Sequence, residues 1–386
     1  MFKSIIIGCS SSSIHSLFSL ITKQSHQQLR NVQKVIGVIP ADGIGKEVVP
    51  AAIQVMNAAI EKSIQAKQQD FSLKYIPLEA GWETFEKSGK SLPSETVEAL
   101  KTKCDGAIFG SVQSPSHKVE GYSSPIVAMR KLVDLYANIR PCQDTKKGID
   151  MLIVRENTEC LYIKKEKLSV DPQTGEKIAV AERLITERSS KRIAEMAFKL
   201  AIQRNKNHFP KVTIVHKSNV LSVSDGLFRE SCLQVAKKYP QVKVEEQLVD
   251  SMVYKMILDP TQYDVVVAPN LYGDILSDAA SAFVGGLGVT GSANMGDSFA
   301  LVEPVHGSAP DIYGKGVANP IATIRACAML LRFLQERDPQ CSFLNSIADQ
   351  MEKAVDVVMN DKNVVSPDLG GKGNTETLVN AIIKNL

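Results

Sequence analysis

Short runs of apolar and β-branched residues alternate with longer amphipathic segments from residue 35 to the C-terminus. The runs predict strands at residues 35–40, 73–78, 107–109, 151–154, 212–215, 242–244 and 264–268. Between them, residues 48–66 and 189–203 carry apolar side chains at the spacing of one helix face. This alternation predicts an α/β fold with much parallel sheet.

Two segments depart from this alternation. Within residues 163–185, the turn residues from Asp171 to Gly175 separate two segments that are too charged for core strands, which predicts a projecting hairpin. The glycine-rich segment 285–296 would interrupt any helix, and we expect it to form a crossover between two domains.

The composition narrows the class of protein. A chain of 386 residues is long enough for two domains, and 44% hydrophobic with 23% charged residues is typical of a globular protein. The sequence contains no run of about 18 apolar residues, which is the length that a membrane-spanning helix needs. The seven cysteines are scattered and lack a C-x-x-C pair, which indicates reduced thiols rather than disulfides or a zinc site.

The first 30 residues have the composition of a mitochondrial presequence. They contain Lys3, Lys23 and Arg30 among many serines, and the first acidic residue of the chain is Asp42. Import into the mitochondrial matrix is the prediction, and a tail without a targeting role is the alternative. Removing residues 1–30 would take the formal net charge from +3 to 0, so the charge gives no indication of a nucleic-acid partner.

A pair of carboxylates follows the predicted strand 264–268. Asp274 and Asp278 are four residues apart, so a helix beginning near Leu271 would place both on one face. Oxygen ligands of this kind favour Mg²⁺ or Mn²⁺, whereas the pair taken alone is more typical of a solvated helix face. Asp250 supplies a third carboxylate after another predicted strand, where open α/β sheets gather ligand groups.

Basic and phenolic residues near other strand ends suggest a site for an acidic substrate. Arg130, Arg140 and Arg155 could bind several carboxylates through their guanidinium forks, although surface salt bridges are the alternative. Lys217 follows the predicted strand 212–215 and is a candidate general base, if it is not simply solvated. Tyr162 could supply a phenolic proton in the same cleft.

Two glycine-containing segments are candidates for cofactor binding. Gly43 and Gly45 follow the first predicted strand like part of a dinucleotide fingerprint, but Val48 occupies the third glycine position. Residues 306–320 form a longer segment of small and turn residues that could approach a cofactor closely. Its Asp311 would bind ribose hydroxyls and repel a 2′-phosphate, which favours NAD over NADP.

Six ordered motifs together resemble the β-decarboxylating dehydrogenases, the family of isocitrate, 3-isopropylmalate, homoisocitrate and tartrate dehydrogenases. The motifs are Asp42-Gly-Ile-Gly-Lys-Glu47, Leu135-Tyr-Ala-Asn-Ile-Arg-Pro141, Val154-Arg-Glu-Asn-Thr158, His216-Lys-Ser-Asn-Val220, Asn270-Leu-Tyr-Gly-Asp-Ile-Leu-Ser-Asp278 and Glu303-Pro-Val-His-Gly-Ser-Ala-Pro-Asp311.

The resemblance implies an isopropylmalate dehydrogenase-like α/β fold of two domains, with a mixed central sheet and not a classical Rossmann fold. Residues 31–135 with 286–386 would form the large cofactor-binding domain, and residues 136–285 the small dimerisation domain. The hairpin at about 163–185 would be the clasp between subunits. A homodimer or higher homo-oligomer with shared active sites is therefore expected.

The resemblance also implies roles for individual residues. Lys217 would be the catalytic base and Tyr162 the catalytic acid, with Lys217 and Asp250 supplied by the neighbouring subunit. The implied substrate-binding residues are Ser123, Arg130, Arg140, Arg155, Tyr162, Lys217 and Asn219. The implied ligands of Mg²⁺ or Mn²⁺ are Asp250, Asp274 and Asp278. The implied NAD-binding residues are Asn219, Glu303, His306, Gly307, Ser308, Ala309, Asp311 and Asn319.

Within the family, residues 112–130 are most similar to the homoisocitrate dehydrogenases of fungal mitochondria. Isocitrate enzymes usually have an asparagine where this chain has Ile126, and isopropylmalate enzymes have a leucine-rich stretch in place of Ser123-Ser-Pro125. The resemblance implies NAD-dependent conversion of homoisocitrate to 2-oxoadipate in lysine biosynthesis. The alternatives are isocitrate or 3-isopropylmalate as the substrate, or a non-catalytic regulatory subunit, although such a subunit would be expected to lose metal or base residues.

Three positions depart from the family pattern. Ala41 replaces the usual glycine before Asp-Gly, Cys160 replaces an acid common before Leu-Tyr, and Tyr313 replaces a typical alanine. The Tyr313 change falls on the side expected to bind adenosine, and none of the three removes a proposed catalytic group.

Overall fold

The computed structural model describes residues 32–67, 70–117, 119–204 and 210–386. The predicted presequence, residues 1–30, lies outside these ranges. The strands are β1 (Val32–Ala41), β2 (Phe71–Pro77), β3 (Gly106–Ser111), β4 (Ala137–Asp144), β5 (Ile149–Glu156), β6 (Glu166–Val170), β7 (Lys177–Ala181), β8 (Lys211–His216), β9 (Lys243–Leu248), β10 (Val265–Ala268), β11 (Gly291–Met295) and β12 (Ala300–Pro304). The α-helices are α1 (Gly45–Lys67), α2 (Trp82–Ser88), α3 (Ser94–Thr102), α4 (Pro125–Leu132), α5 (Glu187–Arg204), α6 (Ser224–Ala236), α7 (Val249–Leu258), α8 (Asn270–Phe283), α9 (Ile321–Arg337), α10 (Leu344–Val358) and α11 (Thr375–Lys384).

A single 10-stranded sheet runs through the molecule in the order β2-β1-β3-β12-β11-β4-β5-β10-β8-β9. Strand β11 is antiparallel to both β12 and β4, and β4 is antiparallel to β5. The remaining pairs are parallel. The sheet is therefore mixed, and its strand order differs from that of a classical Rossmann fold, which confirms the predicted fold class.

The apolar runs correctly predicted seven strands of this sheet, but they did not predict β4, β11 and β12. Strands β4 and β11 carry Asn138, Arg140, Ser292 and Asn294, and all four side chains are buried. A buried strand is recognised in sequence as a continuous apolar run, and these polar residues break that run. Part of the glycine-rich segment expected to be only a crossover is therefore the buried strand β11.

Helices cover both faces of the sheet, and alternation along β10 assigns its side chains to two cores. Val265 and Val267 belong to the larger core, which includes residues of α1, α5, α9 and α10. Val266 lies on the opposite face, where it packs with Met252 of α7 and Leu276 of α8. This second core fixes α8 against the sheet and so determines where its polar face lies.

Gly43 and Gly45 allow close approach of backbone segments. A Cβ atom on Gly43, whose φ is +54°, would lie 2.2 Å from the carbonyl oxygen of Ser308, and one on Gly45 would lie 2.1 Å from that of Pro40. The Ile44 amide donates to the same Ser308 oxygen at 2.9 Å. The partial glycine fingerprint therefore joins the first strand-to-helix turn to the candidate cofactor segment.

Residues 163–185 contain the antiparallel hairpin β6-β7. Leu168 and Val170 point to one face of the hairpin and Ile178 and Val180 to the other, and all four are exposed. Two-stranded hairpins without cover are marginally stable in water.

Among the described residues, no helix combines the length and apolar character needed to cross a membrane.

Candidate active site

Helix α8 presents Asp274 and Asp278 one turn apart, as their spacing predicted, and Arg140 of β4 lies against both. Its Nη1 atom donates to Ser277 Oγ at 2.7 Å and to Asp278 Oδ1 at 2.9 Å, while Nη2 is 3.5 Å from Asp274 Oδ1. Asn138, two residues earlier on the same strand face, accepts from Arg140 Nε at 2.7 Å. The guanidinium is therefore fixed by partners on two elements.

Arg155 is at the carboxyl end of β5 and only 1% exposed. Its Nε and Nη2 atoms donate to Asn270 Oδ1 at 2.9 and 2.7 Å, and its Nη1 atom pairs with Asp274. A Cβ atom on Gly273 would lie 2.7 Å from the Arg155 side chain, so this glycine permits the packing. Burial, with the nearby Arg130 charge, lowers the pKa of Arg155 to about 10, and the group remains a cation at neutral pH.

Arg130 of α4 is held by a buried amide network. Its Nε donates to Asn294 Oδ1 at 3.0 Å and its Nη2 contacts Glu303 Oε1 at 3.3 Å. Asn138 and Asn157 donate to the same Asn294 oxygen at 3.1 and 2.8 Å. These asparagines were not identified from the sequence as part of the site, although Asn138 and Asn157 stand within the motifs that contain Arg140 and Arg155.

Tyr162 joins the same cluster. Its hydroxyl donates to Asp274, and the guanidinium of Arg155 lies 5.1 Å from the centre of its ring. Burial raises the pKa of Tyr162, and the hydrogen bond to Asp274 raises it further, against the opposing charge of Arg155. The phenol is therefore protonated at neutral pH and can act as a proton donor.

The two carboxylates of α8 differ in their electrostatic environment. Burial opposes ionisation of Asp274, but Arg155 and the hydrogen bond from Tyr162 outweigh it and lower the pKa of Asp274. Partial desolvation raises the pKa of Asp278, although its side chain is 57% exposed, and the charge of Asp274 adds to this effect against the opposing charge of Arg140. Asp278 is therefore the carboxylate that would gain more from an added cation.

Lys217 and Asp250 form a separate pair. Lys217 follows β8 and Asp250 is in the first turn of α7 after β9, and Lys217 Nζ lies 2.6 Å from Asp250 Oδ1. The hydrogen bond from Lys217 lowers the pKa of Asp250. Within the described residues, no hydrogen bond or ion pair joins either residue to Asp274 or Asp278, and no three acidic, histidine or cysteine side chains gather as a metal site.

The predicted cofactor residues from His306 to Asn319 follow β12 and precede α9, whereas Glu303 lies in β12 and Asn219 follows β8. Ser308 and Asn319 are buried, and Asn319 donates to Asp368 Oδ2 at 2.9 Å while accepting from the Ile321 amide at the start of α9. Gly307 and Asp311 are exposed, and Ala309 packs against Ile44 and Val48. Glu303 differs from these residues because it contacts Arg130 and Asn294 of the arginine cluster.

Besides Lys217, two predicted substrate residues lie outside the hydrogen-bonded cluster. The Ser123 side chain is exposed, and its carbonyl accepts from Ser91 Oγ at 2.6 Å. Asn219 is exposed on the turn after Lys217. Their roles stay predictions.

The donor set fits both groups that the family resemblance implies. Two carboxylates on one face of α8, one with a raised pKa, suit a divalent cation that completes its ligands from elsewhere. In the cofactor segment, burial lowers the pKa of His306, and its Nδ1–H donates to the Gly307 carbonyl. Its buried Nε2 then has no partner among the described residues and is available to accept a hydrogen bond from a bound cofactor.

The structure gives a backbone reason for the family residue at one of the three positions that depart from the family pattern. Ala41 and Cys160 have φ angles of +58° and +66°, in the left-handed region that favours glycine. The usual glycine at position 41 therefore has a backbone reason, whereas an acid at position 160 has none. Tyr313 lies beside Lys46, whose Nζ is 5.8 Å from the ring centre.

The mixed sheet carries a cluster of arginines, carboxylates and a tyrosine that suits an enzyme acting on acidic small molecules. A sequence profile of the isocitrate/isopropylmalate dehydrogenases matches residues 35–382, and the chain belongs to this family. Its enzymes are β-decarboxylating dehydrogenases that depend on a divalent metal and on NAD or NADP.

Several curated relatives are equally similar to this chain. The isocitrate/homoisocitrate dehydrogenase of Thermus thermophilus is 42% identical over 358 residues, covering 91% of this chain and 98% of its own. The homoisocitrate dehydrogenase of Methanocaldococcus jannaschii is 42% identical over 363 residues, covering 90% and 96%. The 3-isopropylmalate/3-methylmalate dehydrogenase of the same organism is 42% identical over 358 residues, covering 91% and 98%.

A solved structure agrees with this assignment. The crystal structure of isocitrate dehydrogenase from Methylococcus capsulatus matches with a TM-score of 0.80 and 36% sequence identity. The match covers 91% of this chain and 99% of that one. The family is thus established by sequence and by fold together.

Proposed function

We propose that the protein catalyses the NAD-dependent oxidative decarboxylation of homoisocitrate to 2-oxoadipate, with Mg²⁺ or Mn²⁺. The observation that carries this proposal is the convergence of Arg130, Arg140 and Arg155 on one cluster with Asp274 and Tyr162. Three guanidinium groups in one polar cluster match a substrate with three carboxylates.

Different residues of the chain have different roles in the proposed reaction. The arginines bind and orient the carboxylates, Lys217 accepts the proton of the 2-hydroxyl, and Tyr162 later protonates the carbon from which CO₂ has left. When bound, NAD accepts the hydride from C2, and the divalent metal polarises the 2-oxygen and stabilises the negative charge formed as CO₂ leaves. The neutral phenol of Tyr162 supports its role as the acid.

We also propose that each active site is shared between two copies of the chain. Lys217 and Asp250 pair apart from Asp274 and Asp278, so a second copy would have to supply them. The exposed apolar residues of α7, among them Tyr254 and Leu258, support a surface that is covered in a dimer. Other exposed apolar side chains lie on the Lys217 turn and on α7 and α8, namely Val220, Val223, Ile257 and Ile275.

The hairpin β6-β7 supports the same oligomer. Its exposed apolar side chains on both faces would be buried if hairpins from two subunits packed together as a clasp. The division into a large domain of residues 31–135 with 286–386 and a small dimerising domain of residues 136–285 belongs to this proposal. Replacing Leu168 and Val180 together by aspartate should convert the dimer to a monomer in light scattering.

The choice of homoisocitrate rests on residues 112–130. Helix α4 carries Arg130, and Ile126, one turn earlier on that helix, is partly buried against the core that contains Met129. An apolar side chain there suits a variable group with methylene carbons between its carboxylates. Isocitrate and 3-isopropylmalate are the alternatives, because relatives acting on homoisocitrate and on 3-isopropylmalate are equally similar to this chain.

One assay separates these substrates. NADH formation is measured with homoisocitrate, isocitrate, 3-isopropylmalate and tartrate in the presence of Mg²⁺, and we expect the highest kcat/KM with homoisocitrate. Preference for another of the four would contradict the substrate assignment and retain the reaction type. Turnover of none would support the non-catalytic regulatory subunit, which the complete set of Lys217, Tyr162 and carboxylates argues against.

The proposed location is the mitochondrial matrix. Lys3, Lys23 and Arg30, with no acidic residue in the same segment, support import of the precursor. Fusion of residues 1–30 to a fluorescent protein should direct it into mitochondria, and replacing the three basic residues by glutamine should prevent import. Diffuse fluorescence of the unaltered fusion would contradict the proposal.

A further inference from the structure

A buried polar cluster lies outside the candidate active site and consists of Arg183, Asp225 and Tyr272. Asp225 is fully buried at the start of α6, and Arg183 Nη2 lies 2.7 Å from its Oδ1 atom. Arg183 Nη1 donates to the Tyr272 hydroxyl at 2.7 Å, and the guanidinium is 4.6 Å from the centre of that ring. A buried charge pair holds its geometry strictly, because separating the charges would leave either one uncompensated.

The second oxygen of Asp225 holds the backbone of Lys217. The Lys217 amide donates to Asp225 Oδ2 at 2.6 Å, which is the short distance typical of a charge-assisted hydrogen bond. The Lys217 carbonyl in turn accepts from the amides of Val220 and Leu221 at 3.0 and 2.9 Å. The carboxylate therefore fixes the tight turn from which the Lys217 side chain projects.

The same cluster connects three parts of the chain that the reaction requires. Arg183 follows β7 at the base of the hairpin, and the next residue, Leu184, accepts a backbone hydrogen bond from Cys160 at 2.8 Å. Tyr272 is in the first turn of α8, two residues before Asp274. The hairpin base, the Lys217 turn and the helix with the paired carboxylates thus meet at one guanidinium.

We propose that Arg183 and Asp225 are positioning residues that place Lys217 for its action in the active site of the partner subunit. This inference rests on the proposed function, in which Lys217 is the base and crosses the dimer interface. Neither residue touches the substrate. Each acts through the backbone of Lys217, so its removal lowers turnover in the site that this Lys217 serves and not in the site of its own chain.

The first experiment compares Asp225→Asn and Arg183→Met with Arg204→Met. The control is a similarly buried arginine, which pairs with Asp264 at 3.1 Å, just before β10, and with Asp150 at 2.8 Å. We expect kcat to fall at least tenfold in the two test variants, with dimer mass and Mn²⁺ binding unchanged, and no such fall in the control. Equal loss of kcat in all three would overturn the proposal in favour of a general loss of stability.

Arg183→Lys provides a second test that does not depend on complete removal of the charge. A lysine restores the cation beside Asp225 without the fork that reaches Tyr272. We expect it to recover most of the kcat lost in Arg183→Met. Activity as low as that of Arg183→Met at the same melting temperature as the wild type would contradict positioning through Asp225.

The decisive experiment uses mixed dimers of two differently tagged chains. Both mixed dimers contain one chain with Asp278→Asn, which inactivates the site formed on that chain, and their activity is compared with a dimer carrying this change alone. In the first, Asp225→Asn is added to the same chain. In the second, it is placed on the other chain.

We expect activity to fall at least tenfold in the first mixed dimer and to stay within about twofold of the reference in the second. The reverse result would show that Lys217 serves its own chain, which overturns the action across the interface. Equal activities in the two arrangements would overturn the positioning role. Failure of the proposed function is distinguishable, because it would appear as absence of turnover in the unaltered dimer.

Discussion

Arg140 Nη1 donates a 2.9 Å hydrogen bond to Asp278 Oδ1. The arginine proposed to bind a substrate carboxylate is therefore paired with the aspartate proposed to bind the metal. Arg155 and Asp274 form a second pair of the same kind. In this cluster the arginines and carboxylates neutralise each other. Metal and substrate together would replace these contacts, since the metal binds the carboxylates and the substrate binds the arginines.

Arg140→Gln should strengthen metal binding to the free enzyme and weaken substrate binding. Removing the cation beside Asp278 releases a charge-assisted hydrogen bond, so we expect Mn²⁺ affinity to rise by about tenfold. The KM for the substrate should rise by about tenfold or more, because a substrate carboxylate loses its guanidinium partner. Electron paramagnetic resonance of free Mn²⁺ measures the first quantity, and steady-state kinetics measures the second.

The control for this prediction is Arg332→Gln, which removes ion pairs with Asp349 and Glu352, far from the arginine cluster in the sequence. It should leave both quantities unchanged. Weaker Mn²⁺ binding in Arg140→Gln would show that the arginine and the metal do not compete for Asp278.

Asp278→Asn should abolish metal-dependent turnover without dissociating the dimer. The amide keeps the size of the side chain but loses the charge that holds a hard cation, so we expect kcat/KM to fall by at least about a hundredfold. Light scattering should give the same mass as the wild type. Asp349→Asn is the surface control, and wild-type activity in Asp278→Asn would remove this residue from the metal site.

Metal binding should weaken at low pH mainly through Asp278. Partial desolvation and the charge of Asp274 raise the pKa of Asp278 above its ordinary value. As pH falls, protons therefore compete with the metal at a higher pH than for an aspartate with an ordinary pKa. Asp274, whose pKa is lowered, should stay ionised over the same range. We expect Mn²⁺ affinity to fall with acidification and the residual affinity of Asp278→Asn to depend less on pH. An equal pH dependence in both proteins would assign the effect to another group.

Ala41→Gly should stabilise the protein. The φ angle of Ala41 is +58°, a conformation that costs an L-residue roughly 1–2 kcal/mol and a glycine almost nothing, while glycine adds some entropy to the unfolded chain. We expect a net gain of up to about 1 kcal/mol in the free energy of unfolding, measured by denaturant titration at fixed protein concentration. Ala107→Gly in the buried strand β3 is the control and should destabilise the protein. A loss of stability in Ala41→Gly would show that the methyl group contributes more by packing than the backbone conformation costs.

The sequence by itself determined the family, the mixed α/β fold and seven of the strands. It also placed Arg155, Lys217 and Asp274 close to strand ends, because an apolar run followed by a polar residue is a local pattern. The spacing of Asp274 and Asp278 predicted one helix face, and α8 has both on that face. These features depend on neighbours within a few residues along the chain, so they can be recognised in the amino-acid sequence.

Which polar residues are buried, and which partners they contact, depends on long-range folding. Arg130 meets Asn294 across 164 residues of chain, and Asn270 reaches Arg155 across 115. The Arg183 and Asp225 pair, which holds the Lys217 turn, is formed in the same way between distant segments. A buried amide or carboxylate has the same local pattern as an exposed one, because its burial depends on partners that long-range folding brings to it.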